Sequence, residues 1–563
     1  MRADIQRGPN NVPNPEWAAD NGPRTRVESA LALAAGLTAL ALYLFTLAPS
    51  ITLANGANDS GELAAAAYTL GIAHPTGYPL YTLVGYLVTH AGERLGGGEP
   101  AHSLNVFSAL MGALAIGLLT LLALRAAGRV VPRAPRPVLY LAGLLAAAAL
   151  ALDTDFWTEA VVTETRTLAL ALDAMVLALL VAPARPRAAS SLAAALVYGL
   201  ALCDHLLSLY LAPAVLLLAA DWAGRDARRW LALLGLFLLG LTPYLYLPLR
   251  AAARPLANWG DPATPARFLW IISGREYRPY MFNPDGTGPL AAIGGSLGAL
   301  WGGLGGATLA AAAVGLIVLW RRARRLAAAL ALTFVVDVAL TSAYSAPSAP
   351  TYLLPAALCA CVAAATGWLA MGARAAQALA RLLSGQRASA IVVCGVLALL
   401  VGVPEVPLAA RDRSAVADSW DTSDRDYGAY IVGGLPPHAV IFVRDEETWD
   451  VVWYAARALR PDRDVTVVST ALLTFAWYYR ELRALPAFGR RALPDSDFSV
   501  DDGSDTLLVL SRVALLGRAV APGHALYSVS LEPAFGRFCH QRPEGPIWRC
   551  VRRVTSRSAS SSP

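Results

Sequence analysis

The chain has 563 residues, of which 56% are hydrophobic and 15% charged, and its mean hydropathy is +0.47. Soluble globular proteins carry about 25% charged residues, so this composition excludes an ordinary soluble protein and indicates that most of the chain faces lipid. The net charge of +6 is spread over short loops without an arginine patch interleaved with aromatic residues, which argues against nucleic-acid binding.

Long apolar runs dominate the first two thirds of the chain. A run of about 20 apolar residues crosses the hydrocarbon core as a helix, and eleven such crossings are predicted within a transmembrane domain at 29–408. Residues 1–28 are polar and are predicted to form a disordered cytoplasmic tail without a cleavable signal pattern. The predicted crossings lie near 29–48, 103–124, 137–153, 158–182, 190–204, 206–221, 231–249, 290–319, 326–345, 352–371 and 389–408.

Arginine is concentrated in every alternate loop between these runs, which places the N-terminus in the cytoplasm and the C-terminal part outside it. All 46 basic residues are arginine, a bias typical of a high-GC bacterial genome, so the expected location is a bacterial plasma membrane. The outer loop near 250–280 breaks the alternation because it is also arginine-rich, which favours an anionic ligand there.

From 409 to 555 the composition becomes that of a soluble domain, and alternating strands and helices predict a small extracytoplasmic α/β domain. Cys539 and Cys550 could form a disulfide in an oxidising compartment or stay as free thiols. Residues 556–563 are predicted to be a disordered tail. The predicted strands are 439–443, 465–468, 506–510 and 526–531, and the predicted helices are 449–459 and 471–485.

Asp59 and Glu62 lie in the first outer loop, 49–102, just beyond the first crossing. One interpretation is structural, because an acid at a helix N-cap followed three residues later by Glu resembles a capping box that opens a helix over 60–70. The other is functional. A carboxylate fixed at a helix start beside the membrane is suited to act as a general base, and charged groups in such positions usually have a function.

Further polar residues of the outer loops are candidates for binding. His74 and Tyr78 flank a Pro-Thr-Gly turn and could donate hydrogen bonds to a phosphate or sugar, or only cap and pack. His205, after Asp204, could do the same or complete a turn. Arg250 could clamp a lipid-linked phosphate through paired N–H donors or extend to lipid headgroups.

Glu164, Trp259 and Asp261 are predicted to contact substrate. Glu164 is not expected to pair with Arg166, since residues two apart on a helix point in different directions. Trp259 could stack on a sugar or anchor at the membrane interface. The carboxylates of the outer loops could bind a divalent ion, but their spacing does not match a metal-ligand pattern. No metal ligand and no cofactor is therefore assigned.

Together, several blocks of the chain resemble a family of multipass membrane proteins, long of unknown function, whose animal member is a protein O-mannosyltransferase and which looks like a branch of the GT-C glycosyltransferases. The resemblance covers about 50–485. It departs from the family pattern at Thr76, where Pro is usual, and at Glu164-Thr165-Arg166, where Glu-Val-Tyr is usual, which puts the sugar or acceptor in doubt. The blocks are 59–62, 74–81, 104–109, 156–164, 250–251, 258–262 (which includes Asp261), 344–352, 445–449, 460–462 and 477–478.

The resemblance implies a GT-C-like fold and an inverting sugar transfer, outside the cytoplasm, from a polyprenyl-phosphate donor to a hydroxyl of a protein or of an envelope glycan or lipid. Asp59 would take the acceptor proton, and Glu62 beside it is the second predicted catalytic residue. Arg250, His74 or Tyr78 would hold the leaving phosphate.

Two other classes stay open. A transporter or flippase for a lipid-linked or anionic substrate would need charges near mid-membrane, and Asp173 and Asp337 keep this alternative open. A non-catalytic envelope scaffold would bind through its outer domain alone.

Overall fold

The computed structural model describes residues 21–53, 59–181, 188–282, 286–345, 349–381, 389–398, 416, 420–488 and 506–552. Within these ranges the chain is mostly helical, with one five-stranded sheet near the C-terminal end. The predicted tail at 556–563 and residues 1–20 of the N-terminal tail lie outside the described residues. The first helix begins at Asn21, so the prediction of disorder up to residue 28 is wrong for its last part.

Sixteen helices make up the described part of the membrane domain. They are α1 (Asn21–Phe45), α2 (Ser60–Thr69), α3 (Pro79–Arg94), α4 (Pro100–Val130), α5 (Arg136–Ala151), α6 (Thr154–Glu159), α7 (Arg166–Val181), α8 (Ala188–Asp204), α9 (Ala212–Ala223), α10 (Ala227–Gly240), α11 (Tyr246–Ala252), α12 (Pro265–Ile272), α13 (Pro289–Arg322), α14 (Arg324–Ser342), α15 (Leu354–Leu379) and α16 (Ser389–Ala398).

The chain is a multipass membrane protein. In the described residues, six helical segments are long and apolar enough to cross a bilayer, and the bent pair α10–α11 makes a seventh. The helices α5, α8 and α16 are apolar but shorter, and 399–408 of the last predicted run lies outside the described residues. The count of eleven crossings therefore stays a prediction.

The helix α15 lies at the centre of this domain and packs against α4, α5, α13 and α14. At its crossing with α13 the two backbones touch. A Cβ on Gly315 would lie 1.8 Å from Ala363 O, and one on Gly367 would lie 1.9 Å from Ala311 O. Small residues that let helix backbones approach are a common way to pack helices in membranes, where hydrophobic burial provides little driving force.

The C-terminal part (420–488 and 506–552), called the outer domain below after its predicted side of the membrane, contains a mixed sheet in the order β2-β1-β3-β5-β4. β1 pairs in parallel with β2 and β3, and β5 runs antiparallel to β3 and β4. Its elements are α17 (Ser423–Gly434), β1 (Val440–Val443), α18 (Glu446–Tyr454), β2 (Thr466–Ser469), α19 (Ala476–Ala484), α20 (Thr506–Ala519), β3 (Leu526–Ser528), β4 (Cys539–Glu544) and β5 (Ile547–Arg552).

The predicted strands at 439–443, 465–468 and 526–531 correspond to β1, β2 and β3. The predicted strand at 506–510 is wrong, because these residues begin the helix α20. A short apolar run does not distinguish a buried strand from a buried helix by its periodicity. Cys539 and Cys550 form a disulfide between β4 and β5.

Candidate functional site

His74, in the loop between α2 and α3, is held by Glu62 on α2. Its backbone N–H donates to Glu62 Oε1 at 3.1 Å, and its Nδ1 lies 2.9 Å from Glu62 Oε2. Both side chains are buried. The carboxylate of Glu62 therefore fixes both the backbone and the ring of His74.

The other ring nitrogen of His74 lies 3.1 Å from the hydroxyl of Tyr78, which donates to the carbonyl of Pro75 at 3.2 Å. Burial disfavours a charged imidazole, but the charges of Asp59, Glu62 and Glu164 outweigh it and raise the pKa of His74 to about 10. At neutral pH the ring is an imidazolium with both N–H groups engaged.

Asp59 faces the same imidazolium from the start of α2, with its Oδ2 3.8 Å from His74 Nε2. Its side chain is 40% exposed, whereas that of Glu62 is 6% exposed and that of His74 10%. Asp59 makes no capping hydrogen bond to α2, and Glu62 points to His74. The capping-box interpretation is therefore wrong, although the helix itself, predicted at 60–70, forms at Ser60–Thr69.

A second charged group lies where α6 ends and α7 begins. The NH1 atom of Arg166 lies 2.9 Å from Glu159 Oε2 and 2.8 Å from Glu164 Oε2, and all three side chains are buried. The guanidinium also lies 5.5 Å from the ring centre of Tyr352. Burial raises the pKa of Glu164 and Arg166 lowers it, with a net rise.

The prediction that Glu164 and Arg166 do not pair is wrong. It assumed one helix through both residues, but α6 ends at Glu159 and α7 begins at Arg166. Glu164 lies in the non-helical segment between them, so the rule for residues two apart on a helix does not apply.

His205 continues the row of rings from His74 and Tyr78. Its ring centre lies 5.5 Å from that of Tyr78 and 5.8 Å from that of Tyr352. His205 Nδ1 accepts the N–H of Leu207 at 3.0 Å. The neutral ring therefore carries its proton on Nε2, which can act as a donor.

Trp259 closes the other side of His74, with a ring-centre distance of 6.0 Å. Its Nε1–H donates to Glu276 Oε2 at 2.9 Å, and its ring packs against Trp449 and Trp477 of the outer domain. Because Trp259 is buried between the two domains, the interpretation as a membrane-interface anchor is wrong. Burial raises the pKa of the Glu276 carboxyl to about 7.

Two predicted residues lie beside this group without a recorded contact to His74. Arg250 donates from Nε to Leu70 O at 2.5 Å and from NH2 to Thr69 O at 3.2 Å, so it caps the C-terminal end of α2. Asp261 accepts from Asn258 Nδ2 at 3.4 Å. Arg250 thus has a structural task that the sequence did not suggest, and the phosphate and substrate roles of both stay predictions.

Within the described ranges, no group of three or more His, Cys, Asp or Glu side chains could hold a metal ion.

The first half of the chain resembles a known domain. Residues 59–222 match the family described as "Protein O-mannosyl-transferase TMEM260 N-terminal domain". The mouse protein O-mannosyl-transferase TMEM260 is 31% identical over 244 residues, or 42% of this chain and 33% of the mouse protein. The Dictyostelium discoideum protein of the same name is 43% identical over 49 residues, or 9% of this chain and 6% of that protein.

The stretch 59–222 is therefore similar to the N-terminal domain of TMEM260. It begins at Asp59 and contains Glu62, His74, Tyr78, Glu164, Arg166 and His205. The matches span at most a third of the length of these curated relatives.

Solved structures give weaker similarity. ArnT from Cupriavidus metallidurans, bound to undecaprenyl phosphate, aligns at 17% identity and a TM-score of 0.47 over 81% of this chain and 91% of that one. The oligosaccharyltransferase AglB from Archaeoglobus fulgidus, in complex with an inhibitory peptide and a dolichol-phosphate, aligns at 12% identity and 0.48 over 94% and 75%. Both TM-scores lie below 0.5.

The structure adds residues to those predicted in and around the stretch 59–222. Glu159 and Arg166 lie at the start of the fourth predicted crossing, but the sequence did not identify them as partners of each other. No pattern in the sequence indicated that Glu276 or Asp450 belongs to the site. Asp450 contacts Gly61, which is 389 positions away in the sequence.

Proposed function

We propose that this protein is a membrane glycosyltransferase that moves a sugar from a polyprenyl-phosphate donor to a hydroxyl acceptor outside the cytoplasm. The sugar is mannose and the acceptor a protein if the activity follows the name of the TMEM260 relatives. The observation that carries the proposal is the exposure of Asp59. It is 40% exposed, whereas its charged neighbours Glu62, His74, Glu164 and Arg166 are each 10% exposed or less.

In the proposed reaction Asp59 takes the proton of the acceptor hydroxyl. The acceptor oxygen forms a bond to the anomeric carbon while the bond from that carbon to the phosphate oxygen breaks, so the configuration inverts. Polyprenyl phosphate leaves with the electron pair. A general base of this kind contributes roughly 10²- to 10⁴-fold to a rate.

His74 and Glu62 position this base. The imidazolium of His74, fixed by Glu62, places a positive charge 3.8 Å from Asp59 and thereby orients the carboxylate. Glu62 is a positioning residue in this scheme, since its oxygens are engaged by His74.

The donor phosphate is proposed to lie near Tyr78 and His205, because His205 offers an N–H at Nε2. Arg166 is a poor candidate for the phosphate, because two carboxylates already neutralise its charge.

The test is sugar transfer by purified protein in lipid nanodiscs, with polyprenyl-phosphate mannose as donor and a Ser/Thr-containing peptide as acceptor. Asp59→Asn should lower kcat by about 100-fold or more while donor binding persists. Asp462→Asn, which changes an exposed carboxylate of the outer domain paired with Arg460, is the matched control and should keep wild-type activity. Unchanged transfer by Asp59→Asn would reject the base assignment.

The transporter alternative predicts a different result. A flippase would move a labelled lipid-linked sugar across proteoliposome membranes without any acceptor, and its activity would not depend on Asp59.

A further inference from the structure

Backbone N–H groups before and after Asp59 in the sequence donate to carboxylates of the outer domain. Before it, the N–H of Leu53 donates to Asp424 Oδ2 at 2.8 Å. After it, the N–H of Gly61 donates to Asp450 Oδ2 at 2.9 Å. Asp424 lies in the first turn of α17 and Asp450 in α18, so two helices of one domain hold a short stretch of the other.

The contact at Gly61 performs a task that normally falls to the N-cap residue. The first N–H groups of a helix have no partner within the helix, and a side-chain oxygen usually accepts one of them. Asp59 occupies the N-cap position of α2 but makes no such bond. Asp450 takes the N–H of Gly61 in its place, across the domain boundary.

Close packing supports the same arrangement. A Cβ on Gly61 would lie 2.8 Å from Asp450 Oδ2 and 2.9 Å from Asp450 O, so only glycine allows this approach. Val451 and Tyr454 of α18 belong to one buried apolar cluster with Leu63 of α2.

Neighbouring contacts tie the same helices to the start of α4. The hydroxyl of Tyr454 accepts the N–H of Ala101 at 3.3 Å, and Arg425 forms an ion pair with Glu99. The outer domain thus contacts the membrane domain at the ends of the segment that bears the proposed base.

We propose that Asp450 is a positioning residue, which caps α2 from the outer domain and so leaves the carboxylate of Asp59 free to face His74 and the acceptor. The proposal rests on the proposed function. It gives the outer domain a part in the chemical step in addition to any part in acceptor binding.

The charge state of Asp450 makes a specific variant informative. Burial, followed by the nearby carboxylates of Glu62 and Asp59, raises the pKa of Asp450 well above its ordinary value. The side chain of Asn has the shape of that of Asp, and Asn caps helices about as well as Asp. Asp450→Asn should therefore preserve the cap, whereas Asp450→Ala removes it.

The experiment compares kcat and KM for wild-type, Asp450→Asn and Asp450→Ala protein in nanodiscs, with the donor and acceptor named above and Asp462→Ala as control. Asp450→Ala should lower kcat by about 10- to 100-fold, since a misplacement near 1 Å can cost about 100-fold. The acceptor KM should stay within about twofold of wild type, because a contact that only orients the base does not contribute to acceptor binding. Asp450→Asn and Asp462→Ala should keep most of the activity.

Hydrogen exchange measured by mass spectrometry gives a readout independent of turnover. Asp450→Ala should exchange faster than wild type in peptides covering 60–64, and Asp450→Asn should not. Should Asp450→Ala fail to fold, Asp424→Ala is the second variant. It releases the Leu53 N–H, and a lower kcat with unchanged acceptor KM is expected.

Three results would overturn the proposal. The first is a wild-type kcat in Asp450→Ala, or in Asp424→Ala where that variant replaces it. The second is an equal loss of activity in Asp450→Asn and Asp450→Ala with a raised acceptor KM, which would make Asp450 an acceptor-binding residue, and the third is unchanged hydrogen exchange at 60–64. Absence of transfer by wild-type protein would instead refute the proposed function, and the exchange data would still test the cap.

Discussion

The buried group of Arg166, Glu159 and Glu164 gives a stability prediction that can be worked from distances. Arg166 NH1 lies 2.9 and 2.8 Å from oxygens of the two carboxylates, and all three side chains are 7% exposed or less. Two opposite charges about 4 Å apart attract each other by roughly 4 kcal/mol at an effective dielectric constant near 20. Desolvation offsets much of this attraction while the group is intact.

Removal of the cation alone leaves two buried carboxylates without a partner. Arg166→Met should therefore destabilise the protein by about 3–5 kcal/mol, the usual cost of breaking a buried pair from one side. The triple variant Glu159→Gln, Glu164→Gln, Arg166→Met should recover most of this loss, because a buried ion group replaced as a whole by neutral side chains costs little.

The assay is unfolding of the purified variants in nanodiscs, followed by tryptophan fluorescence. A chain with two domains does not unfold in one step, so the order of the unfolding midpoints under identical conditions is the readout. Arg549→Ala, which breaks the exposed pair with Glu544, is the control and should cost less than about 1 kcal/mol. If Arg166→Met lowers the midpoint no more than Arg549→Ala does, or the triple variant is worse than the single one, the reasoning is refuted.

The raised pKa of His74 predicts a pH dependence of stability. Its ordinary value is 6.5 and its folded value about 10, so the stability due to its charge is complete below about pH 6.5 and is lost as pH rises towards about 10. The difference in unfolding midpoint between wild type and His74→Gln should shrink from pH 6 to pH 9.5, and a constant difference would contradict the shift. Gly61→Ala places a methyl group against Asp450 and should cost about 1–3 kcal/mol, whereas Gly434→Ala, with no atom within 4 Å of its Cβ, should leave the midpoint unchanged. Equal midpoints for these two glycine variants would show that α2 and α18 are not packed as described.

Local features of the chain were predictable from sequence. The helix predicted at 60–70 depends on neighbouring residues, and it formed within one residue of the predicted bounds. The strands β1 and β2 follow from short buried runs of Val, Ile and Phe. The hairpin of β4 and β5 was missed, because His540 to Glu544 is polar and contains Pro543. Proline is tolerated there because β4 is an edge strand of the sheet.

The composition of the candidate site was only half predictable. Asp59, Glu62, His74 and Tyr78 lie within 20 residues of one another, so a sequence block could identify them together. The contact of Asp450 with Gly61 depends on the docking of two domains, and no local pattern encodes it. The Arg166 ion group depended on a break between α6 and α7 that the continuous apolar pattern concealed.

A buried acidic residue in this chain is evidence for transport only if its hydrogen-bond partners do not already explain its burial. Asp337 on α14 accepts the N–H of Ala356 in the first turn of α15 at 2.7 Å, and the hydroxyl of Thr341 at 3.1 Å. The side chain of Asp337 therefore caps the N-terminus of the neighbouring helix α15, as the side chain of Asp450 caps α2. A carboxylate that accepts hydrogen bonds at the N-terminus of a membrane helix has a structural role, and this role accounts for its burial without transport. Of the two acidic residues that kept the transporter alternative open, Asp337 therefore has a structural explanation, and only Asp173 still supports that alternative. The enzyme proposal depends on Asp59, which is placed at a helix N-terminus without capping it.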